Sequence, residues 1–166
     1  MESSFLPGGG GRVQNIYNLR YETKFSDVKA KISLGLVDQG NSWNVTPDST
    51  ATRSGGTGKV SETPSQSYNA DLQFTLPLFE RHIFTFGGFF RHSWADTKEH
   101  KLTNWKDEES KTGLAYQSKG KDRTYALFVQ DEIMILDNLT AYLGFRQDWW
   151  ETYDGYVNQV STAGYP

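Results

Sequence analysis

The stretch Arg123 to Trp150, RTYALFVQDEIMILDNLTAYLGFRQDWW, leaves this chain few folds to choose from. Tyr125, Leu127, Val129, Ile133 and Ile135 share one face of a period-two run, and Leu139, Ala141, Leu143 and Phe145 share one face of a second. Leu136-Asp137-Asn138 joins the two runs as a tight connection, since Asp and Asn accept left-handed backbone angles cheaply. Gln130, Glu132, Arg146 and Asp148 fall on the opposite faces. A hairpin that is apolar on one side and polar on the other over about ten residues per strand suits a wall between lipid and water.

Composition narrows the choice of solvent. Hydrophobic residues are 36% of the chain while aromatics reach 14%, which fits a sheet with one polar face and long polar loops better than a compact sandwich. Mean hydropathy is -0.64 and no long apolar run occurs, so no helical membrane span is expected. Barrel strands escape that test because only alternate residues touch lipid. The net charge of -3 argues against a nucleic-acid binder. Cysteine is absent, which removes disulfides, thiol catalysis and Cys-type zinc sites. Met1-Glu2-Ser3-Ser4 has neither the basic start nor the apolar core of a signal peptide, and the sequence is expected to be an internal piece with an added Met1.

Alternation recurs along most of the chain. Strands are expected at about 12–25, 28–37, 67–76, 82–94, 123–135 and 139–152, with long outer loops at 38–66, 95–122 and 153–166. In the first strand Val13, Tyr17, Leu19, Tyr21 and Phe25 alternate with Gln14, Arg20, Glu22 and Lys24, and Ile16 breaks the pattern. The second sets Val28, Ala30, Ile32, Leu34 and Leu36 against Lys29, Lys31 and Ser33, and the third has Tyr68, Ala70, Leu72, Phe74 and Leu76 on one side. In the fourth, Phe84, Phe86, Gly88, Phe90 and Trp94 are expected outward, with Thr85, Gly87, Phe89 and Arg91 inward. Gly8 to Gly11 reads as a flexible loop end, because a strand rather than a phosphate-binding helix follows.

The connections alternate strictly between short (Ser26-Asp27, Pro77 to Arg81, Leu136 to Asn138) and long. Outer-membrane barrels have short periplasmic turns and long external loops, so the alternation also supplies an orientation. Trp43, Trp94, Trp149 and Trp150 are all expected at the long-loop ends, where an aromatic girdle would lie.

The central hairpin resembles the barrel of TonB-dependent outer-membrane receptors. It has an aromatic-aliphatic run ending in Gln130-Asp131-Glu132, a short turn, then Leu139-Thr140, Gly144, Arg146 and Asp148, with Gln147 where that pattern often has tyrosine. His82 to Arg91, HIFTFGGFFR, is similar to another strand of the same family. The resemblance implies a barrel of about 22 strands around a plugged lumen, so six strands make a partial barrel with no plug domain. It also implies partners: the remainder of the barrel and the plug, a TonB-type energy-coupling protein, the lipid bilayer and a small-molecule ligand. The location it implies is the bacterial outer membrane. The implied function is uptake of a scarce ligand such as a ferric siderophore or cobalamin.

Candidate sites are sparse. His82, His92 and His100 lack ligand spacing, and no nucleophile-base pair can be named, so neither a metal, a cofactor nor an enzymatic activity is expected. Trp105 and Tyr116, within charged loop sequence, offer stacking area for a ligand. Arg91, Glu132, Arg146 and Asp148 are expected on the lumen wall as a charge network, and in the resembled family such residues can contact the plug. The fold class expected is therefore all-β, an antiparallel meander of about six strands in three hairpins. Two rivals stay open: a soluble β-sandwich or lipocalin-like binding module, and a smaller outer-membrane porin or adhesin barrel.

Overall fold

A computed structural model describes residues 6–159. They form one antiparallel sheet of seven strands. These are β1 (Gly9–Phe25), β2 (Val28–Pro47), β3 (Gly58–Glu62), β4 (Ser65–Leu78), β5 (His82–Leu102), β6 (Lys111–Leu136) and β7 (Leu139–Gln159). β3 and β4 both lie between β2 and β5, and they behave as one strand interrupted at Thr63-Pro64. Thr63 still donates to the Ser42 carbonyl (2.8 Å), and the Pro64 carbonyl accepts from Asp96 (3.1 Å). Proline has no N–H to give, so the ladder breaks in name while the path stays a six-strand meander.

Register fixes the two faces. Phe74, Phe86, Val129 and Phe145 lie on one rung, as do Leu72, Gly88, Leu127 and Gln147. Tyr125 pairs with Trp149 and Asp131 with Leu143. The other face carries Asp71, Phe89, Ala126 and Asp148 on one rung, and Gln73, Gly87, Phe128 and Arg146 on the next. This is the assignment the alternation predicts. The apolar side is uncovered: Leu19, Leu143 and Phe145 are each 65–70% exposed. It extends about nine residues along each strand, close to what a tilted strand needs to cross a bilayer. Polar residues on it include Gln147 and Asp131. Gln147 donates to the Asp148 carbonyl (2.9 Å), and Asp131 is held 2.8 Å from Nδ1 of His82 near the short-turn end.

The strands run much further than the apolar pattern predicts. Residues 38–66 were expected as loop, yet β2 continues to Pro47 and pairing resumes at Gly58. In 95–122, β5 continues to Leu102 and β6 begins at Lys111, and 153–159 belong to β7. Beyond the apolar band neither face is predominantly apolar, so the backbone ladder persists without hydrophobic alternation to announce it. The rest of the expected third loop, 160–166, lies outside the described residues. Gly9 to Gly11 are also strand, paired with Trp43 to Val45, and a Cβ at Gly11 would run into the Trp43 indole.

Turn chemistry departs from expectation once. Among the described non-glycine residues, left-handed angles occur at Ser26 (φ 54°), Phe79 (φ 64°) and Asp154 (φ 53°), and neither Asp137 nor Asn138 uses one. A register shift in β6 between Met134 and Leu136 accommodates that hairpin instead. A turn without positive φ splays twisted strands, and an extra residue absorbs the mismatch.

Candidate ligand-facing wall and outer loops

The polar face is a wall of short-range pairs. Arg146 makes a forked contact with Asp148 (Nη2 to Oδ1 2.8 Å, Nε to Oδ2 2.9 Å), and its guanidinium lies 5.6 Å over the Phe89 ring. Arg91 sits several rungs nearer the long loops, 3.8 Å from Asp122 and 3.4 Å from the Thr124 hydroxyl. Glu132 lies near the short turns, opposite Tyr142 and Ile83. All four predicted wall residues share the face, but only Arg146 and Asp148 meet. Arg91 and Glu132 are too far along their strands to join one network.

Between Arg91 and the outer loops the wall is hollowed by small side chains. Ser67 and Ser93 hydrogen-bond across β4 and β5 (3.1 Å), and Ser65, Ala95, Gly120 and Thr152 extend the hollow over β4 to β7, enclosing about 470 Å³. The spacing Ser65-x-Ser67 and Ser93-x-Ala95 announces it in the sequence, once the strands are carried past the apolar band.

Trp105 and Tyr116 do not share a surface. Tyr116 is in β6, not in a loop, and pairs with Glu99 and Gln159 on the face continuous with the wall. Trp105 packs over the other face, against Val45, Val60 and Leu102, the small buried cluster of the extension. Its backbone N–H donates to the Gly56 carbonyl (2.9 Å), and its indole N–H to the Thr52 carbonyl (3.1 Å). The tip of the β5–β6 hairpin is thereby fastened to the tip of the β2–β3 hairpin. Trp43 adds a second clasp, its indole donating to Glu108 (3.0 Å). Only a ring with a polar edge joins burial to hydrogen bonding in this way.

The outer rim of the apolar face is aromatic and charged. Tyr68, Phe90, Tyr125 and Trp149 mark its upper edge, while Trp150 falls on the wall face and Trp43 in the extension, against expectation for a girdle. Above them Arg123 pairs with Glu151, and Lys121 with Asp154 (2.7 Å). His92 meets the Tyr153 hydroxyl (3.0 Å), and His100 lies 3.8 Å from Glu62. Among the described residues no group of three or more His, Asp or Glu is placed to hold a metal ion.

One comparison decides the identity: a family model described as "TonB dependent receptor-like, beta-barrel" matches residues 3–165. The chain belongs to that family. A search of curated proteins found no match. The TonB-dependent receptor-like barrel assignment fits what the sheet does with its apolar face. A soluble sandwich would bury that face under a second layer. Here the buried apolar side chains among the described residues are Val45, Ala51, Val60, Leu102 and Ala126, and the band between the two rims stays open. Members of the family are receptors and transporters whose barrels lie in the outer membrane.

Proposed function

We propose that this chain is a stretch of barrel wall from a bacterial outer-membrane TonB-dependent receptor. The complete receptor takes up a scarce ligand, a ferric siderophore or cobalamin, and is not an enzyme. A plug fills the lumen, and a TonB-type protein supplies the energy from the periplasmic side. The observation that carries this reading is the segregation of faces: an uncovered apolar band on one side and a wall of charged and small polar residues on the other. Ligand contact belongs to the wall side above Arg91, where the hollow of Ser67, Ser93 and Gly120 leaves room for a bulky group, and Tyr116 lies on the same face further along β6. Trp105 supports that surface from behind by holding the loop tips together.

The test uses the full-length receptor in a strain lacking its own copy, with cyanocobalamin and a panel of ferric siderophores as probes. Uptake of one probe should require both the receptor and the energy-coupling protein. Ser93→Trp, which fills the hollow, should reduce binding of that probe by more than tenfold while the barrel still assembles. Uptake of no probe by a receptor that is assembled and energised would sink the reading.

A further inference from the structure

Gly87 and Gly88 are neighbours in β5, yet only the first is demanded by its surroundings. At Gly87 a Cβ would run into the Leu72 carbonyl and the Phe128 ring. At Gly88, on the apolar face, it would meet nothing closer than 3.5 Å, an ordinary contact, and Gly88 has no left-handed backbone angle. Glycine inside a strand weakens it and often marks a place that another group approaches closely. With Ala70 on the next rung, Gly88 opens a groove of about 570 Å³ between Leu72, Phe90 and Leu127 in the lipid-facing band.

Directly above the groove the same face turns cationic. Arg123, Lys121 and Lys119 follow Tyr125 at every second position of β6, all on the outward side. Arg123 lies over Tyr125 and Tyr153 (5.8 and 5.3 Å), Lys121 over Tyr153 (5.8 Å) and Lys119 over Tyr156 (5.3 Å). Basic side chains that rest their stems on aromatic rings carry their charge to a membrane surface in this way. β6 has a strand on each side, so the acids facing this ladder are identified: Glu151 pairs with Arg123, Asp154 with Lys121, and Asp96 with Lys98 (3.5 Å). Among the described residues Lys119 forms no ion pair, although Asp96 lies opposite it. The pairs at Arg123 and Lys121 are about half exposed, so they contribute little and yield to a stronger anion. His92 adds a donor beside Arg123.

Groove and ladder together decide the occupant. A free anion has no use for an apolar groove, and a zwitterionic phospholipid gains little from three cations in a row. Phosphate oxygens make strong charge-assisted hydrogen bonds with such cations. The long loops place the ladder on the external side, where the outer leaflet of an outer membrane holds phosphorylated glycolipid. We infer that β5 and β6 bind one such lipid, with an acyl chain seated on Gly88 and Ala70 and the headgroup phosphates on Arg123, Lys121 and Lys119. This rests on the reading of the chain as outer-membrane wall, and adds to it a lipid site on the face away from the ligand path.

Native mass spectrometry tests it, on full-length receptor released from outer membranes in mild detergent and titrated with bisphosphorylated lipid A. One lipid A should bind in preference to phosphatidylglycerol, and removing both its phosphates should weaken binding by about tenfold. A variant combining Arg123→Gln, Lys121→Gln and Lys119→Gln leaves the packed band untouched and should lose about tenfold as well. Gly88→Leu fills the groove from a backbone that accepts a Cβ. Its barrel should assemble normally, checked by heat-modified gel mobility, while lipid A affinity falls by about threefold. Equal affinity for lipid A and phosphatidylglycerol, or unchanged lipid A affinity in both variants, would show ordinary boundary lipid only and overturn the inference. A full-length protein that fractionates away from the outer membrane would instead overturn the reading on which it rests.

Discussion

Val129 and Gln130 are chain neighbours on opposite faces of β6, and arginine at each should give opposite results. Val129 shares its rung with Phe86 and Phe145, and Gln130 with Thr85 and Gly144. The apolar band on β6 runs from Ile133 to Tyr125, with Val129 at its centre. At a rise of about 3.4 Å per residue and a tilt of roughly 45°, that span is about 19 Å high, and Val129 is about 10 Å from either end. Near the midplane a lipid-facing arginine costs about 2–4 kcal/mol, a drop of roughly thirtyfold to nine-hundredfold in the folding equilibrium. Gln130→Arg lies on the polar face, and should stay within about 0.5 kcal/mol. Reversible urea titration of the full-length barrel in lipid vesicles measures both. Equal costs at the two positions, or a larger one for Gln130→Arg, would refute the face assignment for the whole sheet, because register ties every strand to this one.

Three other outcomes follow from the packing. Gly87→Ala should destabilise the barrel by about 1–3 kcal/mol in the same titration, since a Cβ there meets the Leu72 carbonyl and comes within 2.7 Å of the Phe128 ring. Adding Phe128→Ala should recover only part of the loss, because the carbonyl stays in place. Trp105→Ala should speed hydrogen exchange across residues 48–57 while leaving β5 below Trp94 unchanged, and uniform acceleration would contradict a local clasp. The Lys121–Asp154 pair should respond to pH only at the extremes. Lys121 holds the Asp154 carboxyl below its ordinary 3.8 by hydrogen bond and charge, so that contribution is present above 3.8 and fades as pH falls through the lower folded value. Asp154 in turn raises Lys121 above 10.5, so the ammonium's contribution is complete below 10.5 and fades as pH rises through the higher folded value. Protection from exchange at residues 152–156, taken relative to the intrinsic amide rate at each pH, should therefore be flat across the neutral range.

The sequence made the membrane-crossing part of this sheet legible and the rest opaque, for one reason. Alternation of Phe84, Phe86 and Phe90 against Thr85, Gly87 and Phe89 exists because the two faces meet different solvents. Past Trp94 neither face is apolar, so Asp96 to Leu102 and Lys111 to Asp122 still pair, with register shifts beyond Glu99, without any periodicity to show it. Asp131 falls on the apolar face by parity, and only the fold brings His82, distant in sequence, to within 2.8 Å of it. Trp105 illustrates the converse. An aromatic residue among charges reads as a binding surface, yet its ring is occupied by Val45, Val60 and Leu102, and that partnership depends on which hairpin tips end up adjacent. The Arg146–Asp148 pair needed no such knowledge, because two residues apart on a strand is already side by side.

The long ladder also limits how a wall of this kind can change height. A side chain's solvent is set by counting in twos, so lengthening one strand by a single residue would turn every later side chain round, carrying lumen charges outward and outward aromatics in. Lengthening is therefore safe only in even steps, matched on the partner strand, unless a bulge takes up the odd residue. Of several such places, two show the effect on parity directly. On β2 the pairing shifts by one between Asp38 and Asn41, so outward positions are even-numbered at Leu34 and Leu36 but odd-numbered at Trp43 and Val45. On β7 it shifts between Tyr153 and Tyr156, where Asp154 takes its left-handed angle, and both tyrosines face the same side despite their unequal parity. Both lie above the apolar band. Insertions can accumulate there at any length, while the lipid-spanning rungs below keep their count.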